Sequence, residues 1–160
     1  MWTGESTAVN MQKNFDSILN RLPYKSTFRF VDRIIAIDDD GVTSEYTLRK
    51  DAFFYEDHFP GNPVTPGAII AEIMAQAGLV VLGIYYILNG ADQNFKNNDA
   101  VFPLLTATEV SFFKMVLPGQ KVTIVSKKAY CRFGELKCDV EVLDDQCETI
   151  SRGAFAGVIK

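Results

Sequence analysis

The chain has a single histidine, His58. Fourteen residues on, Glu72 is the only charged residue in the apolar run from Gly67 to Leu88. An imidazole can take or give a proton near neutral pH. Burying an ionised carboxylate without partners is expensive, so a glutamate there calls for a reason. Taken separately, Glu72 could be a buried acid satisfied by backbone or arginine, and His58 a solvated loop residue. Together they suggest acid–base chemistry. Between them lies Thr65-Pro66-Gly67, an expected helix start. The first N–H groups of a helix lack intrahelical partners, and the helix dipole favours negative charge there. Gly67 has no side chain, so a carbonyl could approach its N–H. A base, a carboxylate and an oxyanion site within fifteen residues suit proton abstraction beside a carbonyl. That chemistry needs neither a metal nor a phosphate-binding loop. Gln76, four residues after Glu72, shares its helix face.

These residues depend on the elements around them. "DAFFYEDHFPGNPVTPG" has three prolines and two glycines and reads as an irregular loop. The pattern then predicts a helix with Thr65 as N-cap and Pro66 at N1, running to about Leu88 and closed by "NG". Such a helix would be about 33 Å long, enough to span a bilayer. The segment is solitary, Glu72 lies near one end, and the remainder has an ordinary soluble β pattern. We therefore read it as buried on all sides by a sheet rather than by lipid. Ala71, Ala75, Gly78 and Leu82 make a mostly small stripe that would let strands approach closely.

Before the loop, a short helix is expected over Phe15–Leu22, ended by Pro23, and then two strands around the turn Asp38–Gly41. Val42, Ser44 and Tyr46 should share one face of the second strand. After the polar loop "ADQNFKNND", four strands are expected in "LLTATEVSFFKMV", "KVTIVSKKAYCRF", "ELKCDVEVLD" and "ETISRGAFAGVI". One long helix beside an antiparallel sheet is an α+β layout.

The chain has 160 residues, 48% of them hydrophobic, and a formal net charge of -4. That is enough for one well-packed domain, and it argues against nucleic-acid binding, which needs a basic excess. Cys131, Cys138 and Cys147 form no C-x-x-C pair, and one histidine gives no zinc spacing, so buried free thiols are expected. The N-terminus lacks the basic and apolar regions of a signal peptide, which suggests a cytoplasmic protein. Residues 1–12 are expected to be flexible or peripheral.

"HFPGNPVTPGAIIAEIMAQA" closely resembles the signature of the FabZ-type 3-hydroxyacyl-[acyl-carrier-protein] dehydratases, relatives of the FabA type, H-F-P-G-x-P-x-x-P-G followed by E-x-M-A-Q. Weaker similarity extends to "LPYKSTFRFVDRI" and "VSFFKMVLPGQKVTI". The resemblance implies a single hot-dog domain over 13–160, a long central helix wrapped by a curved antiparallel β-sheet. It implies a homodimer or trimer of dimers with active sites between subunits, and no cofactor. The substrate would be a (3R)-3-hydroxyacyl chain on acyl carrier protein, dehydrated to the trans-2-enoyl thioester. His58 matches the catalytic base, Glu72 the catalytic carboxylate, and Gly67 the N–H that polarises the thioester carbonyl. Spacing leaves open whether one chain's own His58 and Glu72 meet, since Glu72 lies only about 7.5 Å along the helix from Gly67.

Three features depart from the family pattern. Tyr24 stands where a histidine is usual, Thr65 where a methionine is common, and "NGADQNFKNNDAVF" looks longer than usual. They bear on the acyl pocket and its entrance more than on the chemistry. Glu72 and Pro60 favour dehydration without the isomerisation of FabA-type enzymes. Gln76, Thr65, Phe113 and Lys114 are candidates for the substrate pocket or for carrier docking, with Lys127, Lys128 and Arg132 as further basic residues for an acidic carrier. The alternatives are a hot-dog hydratase or thioesterase, or a non-catalytic acyl-binding subunit. The His58–Glu72 pair speaks against the last.

Overall fold

A computed structural model of the chain describes residues 4–90 and 102–159. The loop expected to be longer than in the family lies almost wholly outside the described residues. Helix α1 spans Gly4–Asn20 and so starts well before Phe15. Phe15, Ile18 and Leu22 turn one apolar face into the core, where α1 meets the last turns of the long helix. A 3-10 turn over Ser26–Phe28 follows.

Strands β1 (Arg33–Asp38) and β2 (Gly41–Thr47) form the expected first hairpin. The Asp38 carboxylate closes its turn by accepting from the Asp40 and Gly41 N–H groups at 2.8 and 3.1 Å. Val42, Ser44 and Tyr46 are the buried residues of β2, as the alternation predicts. Strands β3 (Pro103–Phe112), β4 (Lys121–Arg132), β5 (Glu135–Leu143) and β6 (Thr149–Ile159) complete one antiparallel sheet of order β1-β2-β4-β5-β6-β3. Phe133 and Gly134, both at positive φ, make the two-residue turn from β4 to β5 that suits the twist of a hairpin.

Strand β3 stops at Phe112, short of the expected Val116. The Phe113 and Lys114 N–H groups both reach the Ile150 carbonyl, so the ladder ends there. The chain then leaves the sheet, and the Val116 carbonyl accepts from the Thr65 N–H at 2.8 Å. Of the cysteines, only Cys138 is buried. Cys131 is half-buried, and Cys147 is exposed in the turn between β5 and β6.

Helix α2 spans Gly67–Asn89, with a π-wound segment over Ala75–Val80, and Gly90 closes it in the left-handed region. It is long and apolar enough to cross a membrane, yet 72% of its most apolar window is buried in this fold. Its middle lies against β2, β4, β5 and β6. Contact is close at Gly78, where an added Cβ would sit 2.9 Å from both Val140 methyls. The long helix laid on an antiparallel sheet is the hot-dog arrangement. Edge strand β3 pairs only with β6 and leaves Leu104, Leu105 and Phe112 about half exposed.

Candidate active site

The loop before α2 is built around His58. Phe59-Pro60-Gly61-Asn62 makes a tight turn, with the Asn62 N–H on the Phe59 carbonyl at 2.9 Å. Gly61 supplies the positive φ that the third position of such a turn requires. The Val64 N–H then returns to the His58 carbonyl at 2.9 Å. The Val64 carbonyl lies 2.8 Å from His58 Nδ1. A carbonyl can only accept, so this contact places the imidazole hydrogen on Nδ1 and leaves Nε2 as the basic nitrogen. The Phe59 ring stacks on the half-buried imidazole, with centroids 4.1 Å apart.

Thr65 does not cap α2, contrary to the sequence expectation. Pro66 holds the N-cap position, and no side chain caps the helix. The Thr65 hydroxyl turns into the core and pairs with Tyr55 OH at 2.6 Å. Thr65 is 3% exposed and borders the shallow groove beside Gly67. Gly67 heads the helix, where its N–H has no intrahelical acceptor. The Phe112 ring lies over it, about 3.4 Å from where a Cβ would stand. A shallow groove of about 300 Å³ runs past Gly67, Val64, Phe112, Phe113 and Lys114.

Glu72 is held differently. Gln76 Nε2 donates to Glu72 Oε1 at 2.8 Å and to the Phe28 carbonyl at 2.9 Å, while Gln76 Oε1 accepts from the Phe30 N–H at 2.9 Å. Gln76 is fully buried, so it serves Glu72 as a support rather than lining a pocket. Glu72 itself opens into a small cavity of about 80 Å³, walled by Tyr24, Ala75, Leu79, Leu104, Leu105 and Leu136 among others. Burial, and then the negative charge of Glu72, push the Tyr24 phenol up from its ordinary value, so it stays protonated.

Neither His58 nor Gly67 lines the Glu72 cavity. Five residues at 3.6 per turn set Gly67 and Glu72 about 140° apart around the helix axis. Within one chain Gly67 and Glu72 therefore occupy different faces of α2. Lys114, the leading candidate for carrier docking, pairs with Asp144 at 3.1 Å and with Glu148. These partners hold its ammonium pKa above the usual lysine value and compensate its charge. Lys128 lies 3.9 Å from Asp40, and Arg132 stacks over Tyr130. Phe113 remains exposed. Among the described residues, no group of three His, Cys, Asp or Glu could hold a metal ion. Tyr55 is the site residue that sequence reasoning missed. Its signal was a phenol within the aromatic run "FFY", since a buried hydroxyl must find a partner.

The family model of the FabA-like domain matches residues 22–147. A "3-hydroxyacyl-[acyl-carrier-protein] dehydratase FabZ" from Caldicellulosiruptor saccharolyticus is 34% identical over 143 residues, covering 79% of this chain and 94% of that protein. The bifunctional enzyme LpxC/FabZ of Chlorobaculum tepidum is 30% identical over 143 residues, 81% of this chain but only 29% of that longer protein. Among solved structures, the dehydratase heterocomplex ApeI:P from Xenorhabdus doucetiae superposes with a TM-score of 0.71 at 15% identity, covering 89% of this chain and 90% of that one.

Proposed function

Since the chain belongs to the FabA-like family, we propose the following site and mechanism for its reaction, the dehydration of 3-hydroxyacyl-[acyl-carrier-protein]. The substrate is a (3R)-3-hydroxyacyl thioester and the product the trans-2-enoyl thioester. His58 Nε2 removes a proton from C2. Negative charge then develops on the thioester oxygen, where the Gly67 N–H and the α2 dipole meet it. The C3–O bond breaks as C2=C3 forms, and the departing hydroxide takes a proton from Glu72, or from a water that Glu72 holds, to leave as water. The proton gained by His58 restores Glu72 through solvent, so the protein is unchanged overall. The observation that carries this reading is the His58 Nδ1 contact with the Val64 carbonyl, which reserves Nε2 for the substrate.

Each active site combines two chains, with His58 and Gly67 from one subunit and Glu72 from its neighbour. The placement of Gly67 and Glu72 on different faces of α2, with His58 outside the Glu72 cavity, supports this assignment. So does the exposed apolar edge β3, whose unpaired side suits a second copy of the chain. The carrier protein delivers its acyl arm to the groove beside Gly67 and Phe113.

His58→Ala should lower turnover on a 3-hydroxyacyl thioester by about 10²–10⁴-fold, followed by enoyl absorbance, with the fold intact. Release of free thiol instead of enoyl product would mark a thioesterase. Mixing inactive His58→Ala with inactive Glu72→Ala under verified subunit exchange should restore activity, because one site of each heterodimer then carries neither defect. No restoration would mean that each site is built within one chain.

A further inference from the structure

We infer that the buried Tyr55–Thr65 hydroxyl pair is a positioning device that sets the base and the oxyanion N–H as one unit. This rests on the roles proposed for His58 and Gly67. The two hydroxyl oxygens are 2.6 Å apart, with Tyr55 6% and Thr65 3% exposed. Thr65 lies at the joint between the two halves of the machinery. The residue before it, Val64, holds His58 through both its carbonyl and its N–H. Two residues after it, Gly67 opens the helix. Pro66, in between, fixes its own φ and anchors the first turn by accepting from the Ile69 and Ile70 N–H groups at 2.9 and 3.1 Å.

Two bonds tie this joint to the rest of the fold. One is the Thr65 N–H to the Val116 carbonyl, which any residue with an N–H would make. The other is the hydroxyl pair, which needs both side chains. Tyr55 is a firm anchor. Its N–H closes a turn onto the Ala52 carbonyl at 3.1 Å, and its ring packs edge-on against Phe54 with centroids 4.5 Å apart. Without the pair, the loop and helix start keep their local bonds but lose the side-chain tie that fixes them against the core. Catalytic geometry is sensitive to such changes, since a misplacement of about 1 Å can cost about 10²-fold in rate. Neither hydroxyl touches substrate in this scheme.

The test compares steady-state constants and melting temperature for Tyr55→Phe, Thr65→Val, Thr65→Ser and the double variant Tyr55→Phe/Thr65→Val. Tyr55→Phe and Thr65→Val should each lower kcat by about 10-fold, with KM within twofold of the parent. Thr65→Ser, which keeps the hydroxyl, should restore kcat to within about threefold, and the double variant should lose no more than either single one. Tyr55→Phe removes one oxygen atom, so it decides the matter with Thr65→Ser should Thr65→Val fail to fold. The proposal is overturned if kcat of Tyr55→Phe stays within twofold of the parent, if the loss appears in KM alone, or if Thr65→Ser is as impaired as Thr65→Val. A fully active His58→Ala would instead refute the underlying mechanism, whatever these variants do.

Discussion

Gln76→Met removes a hydrogen-bonding hub while keeping a side chain of similar length. In the parent, the amide makes three bonds of 2.8–2.9 Å, to the Phe30 N–H, the Phe28 carbonyl and Glu72. The three losses are unequal. Phe30 is fully buried, so its N–H is left without a partner at a cost of about 1–3 kcal/mol. Phe28 is 40% exposed, so its carbonyl can turn to water at a cost nearer 0.5 kcal/mol. Glu72 borders a cavity and can also be hydrated, but it loses its orienting donor. The sum is about 2–4 kcal/mol of stability. At roughly 3 °C per kcal/mol for a chain of this size, melting should fall by about 6–12 °C. Urea unfolding at fixed protein concentration measures the first quantity, and calorimetry the second. Turnover per folded molecule should drop by about 10-fold, because the carboxylate no longer has a fixed direction. Stability within 0.5 kcal/mol of the parent would refute the burial argument. A full stability loss with unchanged turnover would show that Gln76 braces the fold without orienting Glu72.

Gly78→Ala should destabilise the protein by about 1–3 kcal/mol, because its Cβ would meet both Val140 methyls at 2.9 Å and Ser126 Cβ at 3.2 Å. Unfolding curves that overlay the parent's would show that sheet and helix separate there without cost. Asp144 is held below its ordinary pKa first by the Glu148 N–H, and also by Lys114. A carboxyl depressed in the folded state contributes stability in full above its unfolded value, near pH 4, and loses it as pH falls through the lower folded value. Asp144→Asn should therefore flatten the acid side of a melting-temperature profile from pH 7 to 2. An unchanged slope below pH 4 would count against the turn network.

Much of the fold was legible because it is written in short-range pattern. The alternation of Val42, Ser44 and Tyr46, the turn residues Asp38–Gly41, and the uninterrupted apolar run after Gly67 each depend on neighbours within a few positions. Short-range pattern was misleading where a distant partner took over. Thr65 has the chemistry of an N-cap, but Tyr55 claims its hydroxyl. Strand β3 ends early because Val116 is drawn to the Thr65 N–H. Lys114 reads as a free docking charge, but Asp144 and Glu148, thirty or more residues away, compensate it.

His58, Gly67 and Glu72 stood out as candidates from type, spacing and family signature, because a lone histidine and a lone acid in an apolar helix have few other reasons to flank a helix start. Their order in the chain also set the helix polarity that places an N–H, rather than a carbonyl, at Gly67. Tertiary structure alone decided how each is held and where each faces. The amide of Gln76 finds its backbone partners 46 and 48 residues away, and no local window contains them. The turn of α2 between Gly67 and Glu72 sends the Gly67 N–H and the Glu72 carboxylate to different faces. Proximity in sequence thus became separation in space, since a helix fixes direction as well as distance.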